Sequence, residues 1–146
     1  MFKKLDDGIS VSPQITAAQV AEAKAMGFTL IVNNRPDGEA PDQTPGDEIA
    51  AAAAAAGLDY VAIPVGHGGI SGDQLQAMAQ ALDVAAGPVL AYCRSGTRST
   101  MLWALASASH GADVEALTAK AAAQGYDLGA LLPTLRQLSA QAQHKG

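Results

Sequence analysis

The sequence predicts an α/β domain with a mostly parallel sheet covered by helices. Two patterns carry that reading. Short apolar or β-branched runs alternate with helical stretches of about ten or more residues, the order that builds parallel, helix-covered sheets. Three polar segments, Asn34-Arg35-Pro36-Asp37, Gly66-His67 and 93–99, each follow such a run. In open α/β sheets these carboxyl ends of strands are where ligands gather.

Each element has its own local reason. Ile9-Ser10-Val11-Ser12 alternates and stops at Pro13, which reads as a short strand. Thr16 is placed to cap a helix over 17–26, and Gly27 ends it. Residues 28–33 form a buried, β-branched strand, followed by a polar, proline-containing loop to Gly46. The alanine-rich stretch 47–56 is a good helix former closed by Gly57. A strand over 59–65 leads to the connector Gly66-His67-Gly68-Gly69. Ser71 caps a helix over 72–86, and Gly87 closes it.

The strand 88–92 then runs into the loop beginning at Cys93, and a helix follows over 97–109. Further helices are expected over 113–124 and 128–143, with Pro133 tolerated near the first turns of the last one. The tail Gln143-His144-Lys145-Gly146 is expected to fray. Trp103 reads as core, as do Leu75, Met78 and Leu82 at helical spacing. Leu131, Leu132, Leu135 and Leu138 also line one helical face, which fits a core face better than a dimer surface. The expectation is one domain over 1–146, with its core over about 5–140.

Composition narrows the function. The chain has 146 residues, 49% of them hydrophobic, and a net charge of −5. That balance argues against nucleic acid or an anionic membrane as partner, since both call for basic patches. The single cysteine excludes an internal disulfide and a cysteine-built metal site, and it fits a reducing compartment. His110 and His144 have no second ligand type at metal spacing, so neither a metal nor another cofactor is expected. Met1-Phe2-Lys3-Lys4-Leu5-Asp6-Asp7 lacks the apolar core of a signal peptide, and the expected setting is cytoplasmic.

The chemistry centres on Tyr92-Cys93-Arg94-Ser95-Gly96-Thr97-Arg98-Ser99. A strand that ends in Cys and feeds a helix N-terminus places a thiol where partial positive charge favours its anion. Successive backbone N–H groups there can curl into an anion-binding nest, and Gly96 permits the tight turn. Arg98, and with it Arg94, supplies positive charge, while Ser99 or Thr97 is placed to donate a hydroxyl to the thiolate. An inert core cysteine would not need this polar sequence behind it. Cys93 is therefore the expected nucleophile, with Arg94, Ser95, Gly96, Thr97 and Ser99 around its substrate.

The loop resembles those of two related classes. Tyrosine and dual-specificity phosphatases carry Cys, five residues, Arg and then Ser or Thr; rhodanese sulfurtransferases carry a loop one residue shorter. Here four residues separate Cys93 from Arg98, and Cys-Arg-Ser-Gly-Thr-Arg-Ser is similar to a single-domain rhodanese loop. Over most of residues 5 to 140 the chain resembles the phosphatase-like domain of the beta-lactamase hydrolase-like proteins, also labelled a sulfurtransferase family. That resemblance rests on 9–15, 33–39, Ile63-Pro64-Val65, 92–99 and Leu102-Trp103-Ala104. It implies the three-layer phosphatase fold, with a central sheet of four to five strands and helices on both faces. It also implies a persulfide dioxygenase as a frequent fused partner.

Two departures from the phosphatase pattern steer the reading. Tyr92 stands where phosphatases have His, and His67 stands where dual-specificity phosphatases have a general-acid Asp. His67 is then an acid, a substrate contact or only a loop residue. Arg35 is either an anion contact at the rim or the partner of Asp37, Glu39 or Asp42 in holding the long loop. Paired acid–base work by Asp37 and Glu39 is the weaker idea.

With one loop residue fewer for three phosphoryl oxygens, and no carboxylic acid, the sequence favours sulfur transfer. In that reading Cys93 takes sulfane sulfur from a small anionic or persulfide donor, forms a persulfide and passes it to an acceptor thiol. The alternative is a cysteine-dependent phosphatase, with a phosphocysteine at Cys93, Arg98 gripping the phosphoryl group and His67 protonating the leaving group. A third reading is a silent anion-binding or thiol-sensing module.

Overall fold

In a computed structural model, which describes residues 2–144, five strands form one sheet. They are β1 (Lys3–Asp6), β2 (Ile9–Ser12), β3 (Leu30–Asn33), β4 (Asp59–Ala62) and β5 (Val89–Tyr92). The order is β1-β2-β5-β3-β4. Only β1 runs antiparallel; β2, β5, β3 and β4 are mutually parallel. The α/β expectation holds, with one strand added at the start. Lys3-Lys4-Leu5-Asp6 has too little apolar pattern to read as a strand alone, and its pairing with β2 creates it. Lysines on such a flanking strand also discourage further pairing.

Six helices cover the sheet: α1 (Ala17–Ala25), α2 (Gly46–Ala56), α3 (Gly72–Val84), α4 (Thr97–Ser109), α5 (Val114–Ala123) and α6 (Leu132–His144). Their starts follow the expected side chains. Thr16 with Gln19, and Ser71 with Gln74, form reciprocal capping boxes, and Asp113 accepts from the Ala116 amide. Gly57 ends α2 in the left-handed conformation (φ 79°). A 3-10 turn, Gly129–Leu131, takes up the start of the expected last helix and leaves Pro133 in the first turn of α6. Gln143 and His144 remain within α6, and Lys145 and Gly146 lie outside the described residues.

Each sheet face has its own core. Ile31, Leu90 and Tyr92 face Ile15, Val20 and Ala23 from the α1 side and Ile49 and Ala53 of α2. The opposite face packs Val11, Val32, Val89 and Ala91 against Met78 of α3, Leu102 and Trp103 of α4, Leu117 of α5 and Leu135 of α6. Trp103 is core, as read from the sequence, and truncating it to Ala would cost about 3–5 kcal/mol. The Leu131, Leu132, Leu135 and Leu138 stripe packs into this same core.

The topology decides where chemistry collects. β5 sits between β2 and β3, and Ser12, Tyr92 and Asn33 are level in register. The segments that follow β2, β5, β3 and β4 therefore leave the sheet on one rim, with Cys93 at its centre.

Candidate active site

Cys93 is the first residue beyond β5, and it is fully buried. Its amide donates to the Ser12 carbonyl at 3.3 Å, which ties it to the end of β2. The chain then turns sharply, and the Gly96 N–H returns to the Cys93 Sγ at 3.0 Å. Gly96 has φ 92°, in the left-handed region that a side chain resists, and it is the N-cap of α4. Because that cap is glycine, it offers no side chain to the helix, and the Thr97 N–H turns instead to Ser95 Oγ at 3.4 Å. The sulfur thus lies at a helix N-terminus, where the backbone N–H groups present partial positive charge.

Arg98 lies in the first turn of α4 and reaches across the rim. Its Nη1 donates to Glu39 Oε2 at 2.7 Å and to the Val65 carbonyl at 2.6 Å, and its Nη2 donates to Glu39 Oε1 at 2.8 Å. These bonds use the outer edge of the guanidinium. The other edge, Nε–H and the second Nη2–H, is the remaining fork for a bidentate anion contact. The Glu39 hydrogen bond raises the Arg98 pKa, as do the charge and hydrogen bonding of the neighbouring Cys93 sulfur, although burial opposes them. Arg98 is thus a permanent cation beside the Cys93 sulfur.

Glu39 is the hub of this arrangement. It also accepts from Arg35 Nε at 3.0 Å, and the His67 Nε2 lies 3.6 Å from its Oε2. Hydrogen bonds from Arg98, and then from Arg35, pull its pKa from 4.5 down to about 2 against the opposing effect of burial. Glu39 is therefore ionised at neutral pH and is no proton donor. In the acid–base pair of Asp37 with Glu39, Glu39 could not be the acid. Asp37 is occupied elsewhere, accepting from the Gly46 amide at 2.8 Å.

Other expected site residues are redistributed. Arg35 is only 5% exposed, bonded to Glu39 and, through Nη1, to Gln14 Oε1 at 3.0 Å. It holds the loop after β3 and steadies Glu39, the loop-holding arrangement that was the other expectation for it. Ser99 is buried and directs its hydroxyl to Asn34 Oδ1 at 2.8 Å and not to the sulfur. Asn34 in turn donates to the Ile63 carbonyl at 3.0 Å, linking α4, β3 and the end of β4. Thr97 is paired with Ser95, hydroxyl to hydroxyl at 2.9 Å. The Gly96 amide, not a hydroxyl, is the donor to Cys93. Arg94 and Ser95 are exposed on the loop, and His67 is 83% exposed on the glycine-rich segment after β4.

Asn34, Gln14 and Tyr126 have no assigned role in the sequence reading; Glu39 is one of its three candidate partners for Arg35, and that pair forms, but its bond to Arg98 is not expected from sequence. Tyr126, just beyond α5, donates its hydroxyl to the Ser95 carbonyl at 2.9 Å. The one sequence signal for Glu39 was its spacing of four from Arg35.

The geometry agrees with the comparisons to known proteins. The family model described as "Beta-lactamase hydrolase-like protein, phosphatase-like domain" matches residues 1–110. This chain belongs to that family. A beta-lactamase hydrolase-like protein of Agrobacterium fabrum is 34% identical over 145 residues, covering 97% of this chain and 33% of that protein. The chain thus spans about a third of the length of the curated relatives it matches. A Neisseria meningitidis crystal structure described as a candidate phosphatase is 32% identical, with TM-score 0.81, covering 93% of this chain and 96% of that one. Tk-PTP in its active form, 18% identical with TM-score 0.74 over 96% and 97% of the two chains, shares the fold.

This family membership overturns the preference for sulfur transfer. The matching family is phosphatase-like, and the Neisseria neighbour is described in the same terms. The short Cys93–Arg98 spacing does not limit the N–H donors to the loop. α4 begins at Thr97, so the amides of its first turn continue the nest where the loop stops. Among the described residues, no helix is long and apolar enough to cross a membrane.

Proposed function

We propose that this domain is a cysteine-dependent phosphatase acting on small phosphate monoesters. The observation that carries the reading is the division of the Arg98 guanidinium. One edge is fixed by Glu39, and the same guanidinium interacts with the buried Cys93 sulfur, which leaves its Nε–H edge as the fork for an anion beside the thiol. A phosphoryl group seated on the loop would offer one oxygen pair to that edge and others to the N–H groups of the loop and first turn.

The steps balance without a cofactor. The Cys93 thiolate attacks phosphorus, the P–O bond to the leaving group breaks, and an S–P bond forms. His67, as its imidazolium, gives the leaving oxygen its proton. Water then attacks phosphorus, its proton passes to the neutral imidazole, and the S–P bond breaks to restore the thiolate and release phosphate. His67 is assigned the acid because Glu39, its neighbour at the rim, stays ionised.

The test is phosphate release from an aryl phosphate by the purified protein, with Cys93→Ser as control. Release that is lost in the variant, together with a phosphoryl adduct on Cys93 in acid-quenched protein, is the expected result. A folded protein whose thiol alkylates readily but which releases no phosphate above the control overturns the reading.

A further inference from the structure

We propose that Tyr126 is a positioning residue that locks the Ser95–Gly96 peptide so that its N–H faces the Cys93 sulfur. The proposal rests on Cys93 being the nucleophile of the phosphatase read above. Ser95 C=O and Gly96 N–H belong to one peptide plane, and across a trans peptide they point in opposite directions. The Tyr126 hydroxyl donates to that carbonyl at 2.9 Å, and the N–H of the same plane donates to Sγ at 3.0 Å. A rotation of this plane would lose both bonds and turn a carbonyl dipole toward the thiolate. One hydroxyl thereby fixes the direction of this peptide's contribution to the field at the sulfur.

The residue is built for this position. Tyr126 is buried, and Lys3 of β1 lies over its ring, 4.9 Å from the centroid. Burial, and then the charge of Cys93, raise the pKa of its phenol, so the hydroxyl keeps its proton. A Cβ at position 96 would overlap the Tyr126 hydroxyl, so glycine serves both the turn and this close approach. The charged and titratable groups around the thiol are Arg98 from α4 with ionised Glu39 paired to it and exposed His67 beyond, exposed Arg94 on the loop, and Tyr126 with its overlying Lys3. Tyr126→Phe leaves all three cations in place.

The experiment is the pH profile of Cys93 alkylation by iodoacetamide in wild type and Tyr126→Phe, with thermal melting to confirm folding. One hydrogen bond to the loop supports a midpoint moved up by about half a unit to one unit, with kcat/KM for an aryl phosphate falling about three- to tenfold near neutral pH. A folded variant with an unmoved midpoint overturns the proposal, even if its melting temperature falls. A second readout needs no variant: in labelled wild-type protein the Gly96 amide proton should shift downfield as the thiol ionises. A Gly96 amide indifferent to thiol ionisation also overturns it. Both readouts follow the thiol, so an absence of phosphatase activity in the wild type would count against the proposed function and not against this latch.

Discussion

Glu39 and Arg98, 59 residues apart, meet edge to edge: Nη1 to Oε2 at 2.7 Å and Nη2 to Oε1 at 2.8 Å. Both side chains are largely shielded, 11% and 15% exposed. A bidentate pair of this kind fixes the plane of the guanidinium as well as its position.

That pair makes stability depend on acid pH. The folded pKa of Glu39, about 2, lies below its ordinary 4.5. Its contribution is therefore full above about pH 4.5 and is lost as the pH falls toward 2. The shift corresponds to about 3 kcal/mol in all, about 2 kcal/mol of it gone by pH 3. Urea unfolding at pH 7 and pH 3 should show that loss in wild type and a much smaller one in Glu39→Gln, which should itself be about 3 kcal/mol less stable at pH 7. Equal acid sensitivity in the two proteins would contradict the assignment.

Replacing Arg98 by Lys keeps a cation but removes the two-edged fork. A single ammonium cannot hold Glu39 and grip a phosphoryl group at the same time. The expected result is a fall in kcat/KM of about a hundredfold or more on an aryl phosphate. A tenfold or smaller effect, measured at saturating and limiting substrate, would mean that Arg98 serves as charge alone.

Ser99→Ala separates a structural hydroxyl from a catalytic one. Ser99 bonds Asn34 in the interior, so its removal leaves a buried carbonyl oxygen unpaired and costs about 1–3 kcal/mol. The alkylation midpoint of Cys93 should stay where it is. Denaturant melts and the alkylation profile read the two effects separately, and a raised midpoint with unchanged stability would restore a direct bond from Ser99 to the sulfur.

His67→Gln tests the acid through the leaving group. Activity on an alkyl phosphate, whose alkoxide needs a proton to depart, should drop about a hundredfold. Activity on p-nitrophenyl phosphate should change only a few-fold, because that phenolate leaves without help. Equal losses on both substrates would assign His67 to binding and not to proton transfer.

How far the sequence reached depended on distance along the chain. β2 to β5, the helix caps at Thr16, Ser71 and Asp113, and the strand–loop–helix around Cys93 were legible because neighbours determine them: alternation, apolar period, a cap residue, a glycine stop. β1 was missed because its partner, not its composition, makes it a strand.

At the site, Cys93, Gly96 and Arg98 could be named from seven consecutive residues. What each is bonded to could not. Arg98 meets Glu39 59 residues away, Ser99 meets Asn34 65 residues away, and Tyr126 reaches Ser95 across 31. Folding brings these partners together because β5 lies between β2 and β3, so that three strand ends and the α4 N-terminus share one rim. The sequence by itself determined a cysteine at the end of a strand and the helix behind it. Only the tertiary structure decided which hydrogen bonds its loop makes, because donors and acceptors distant in sequence are matched by packing and not by local propensity.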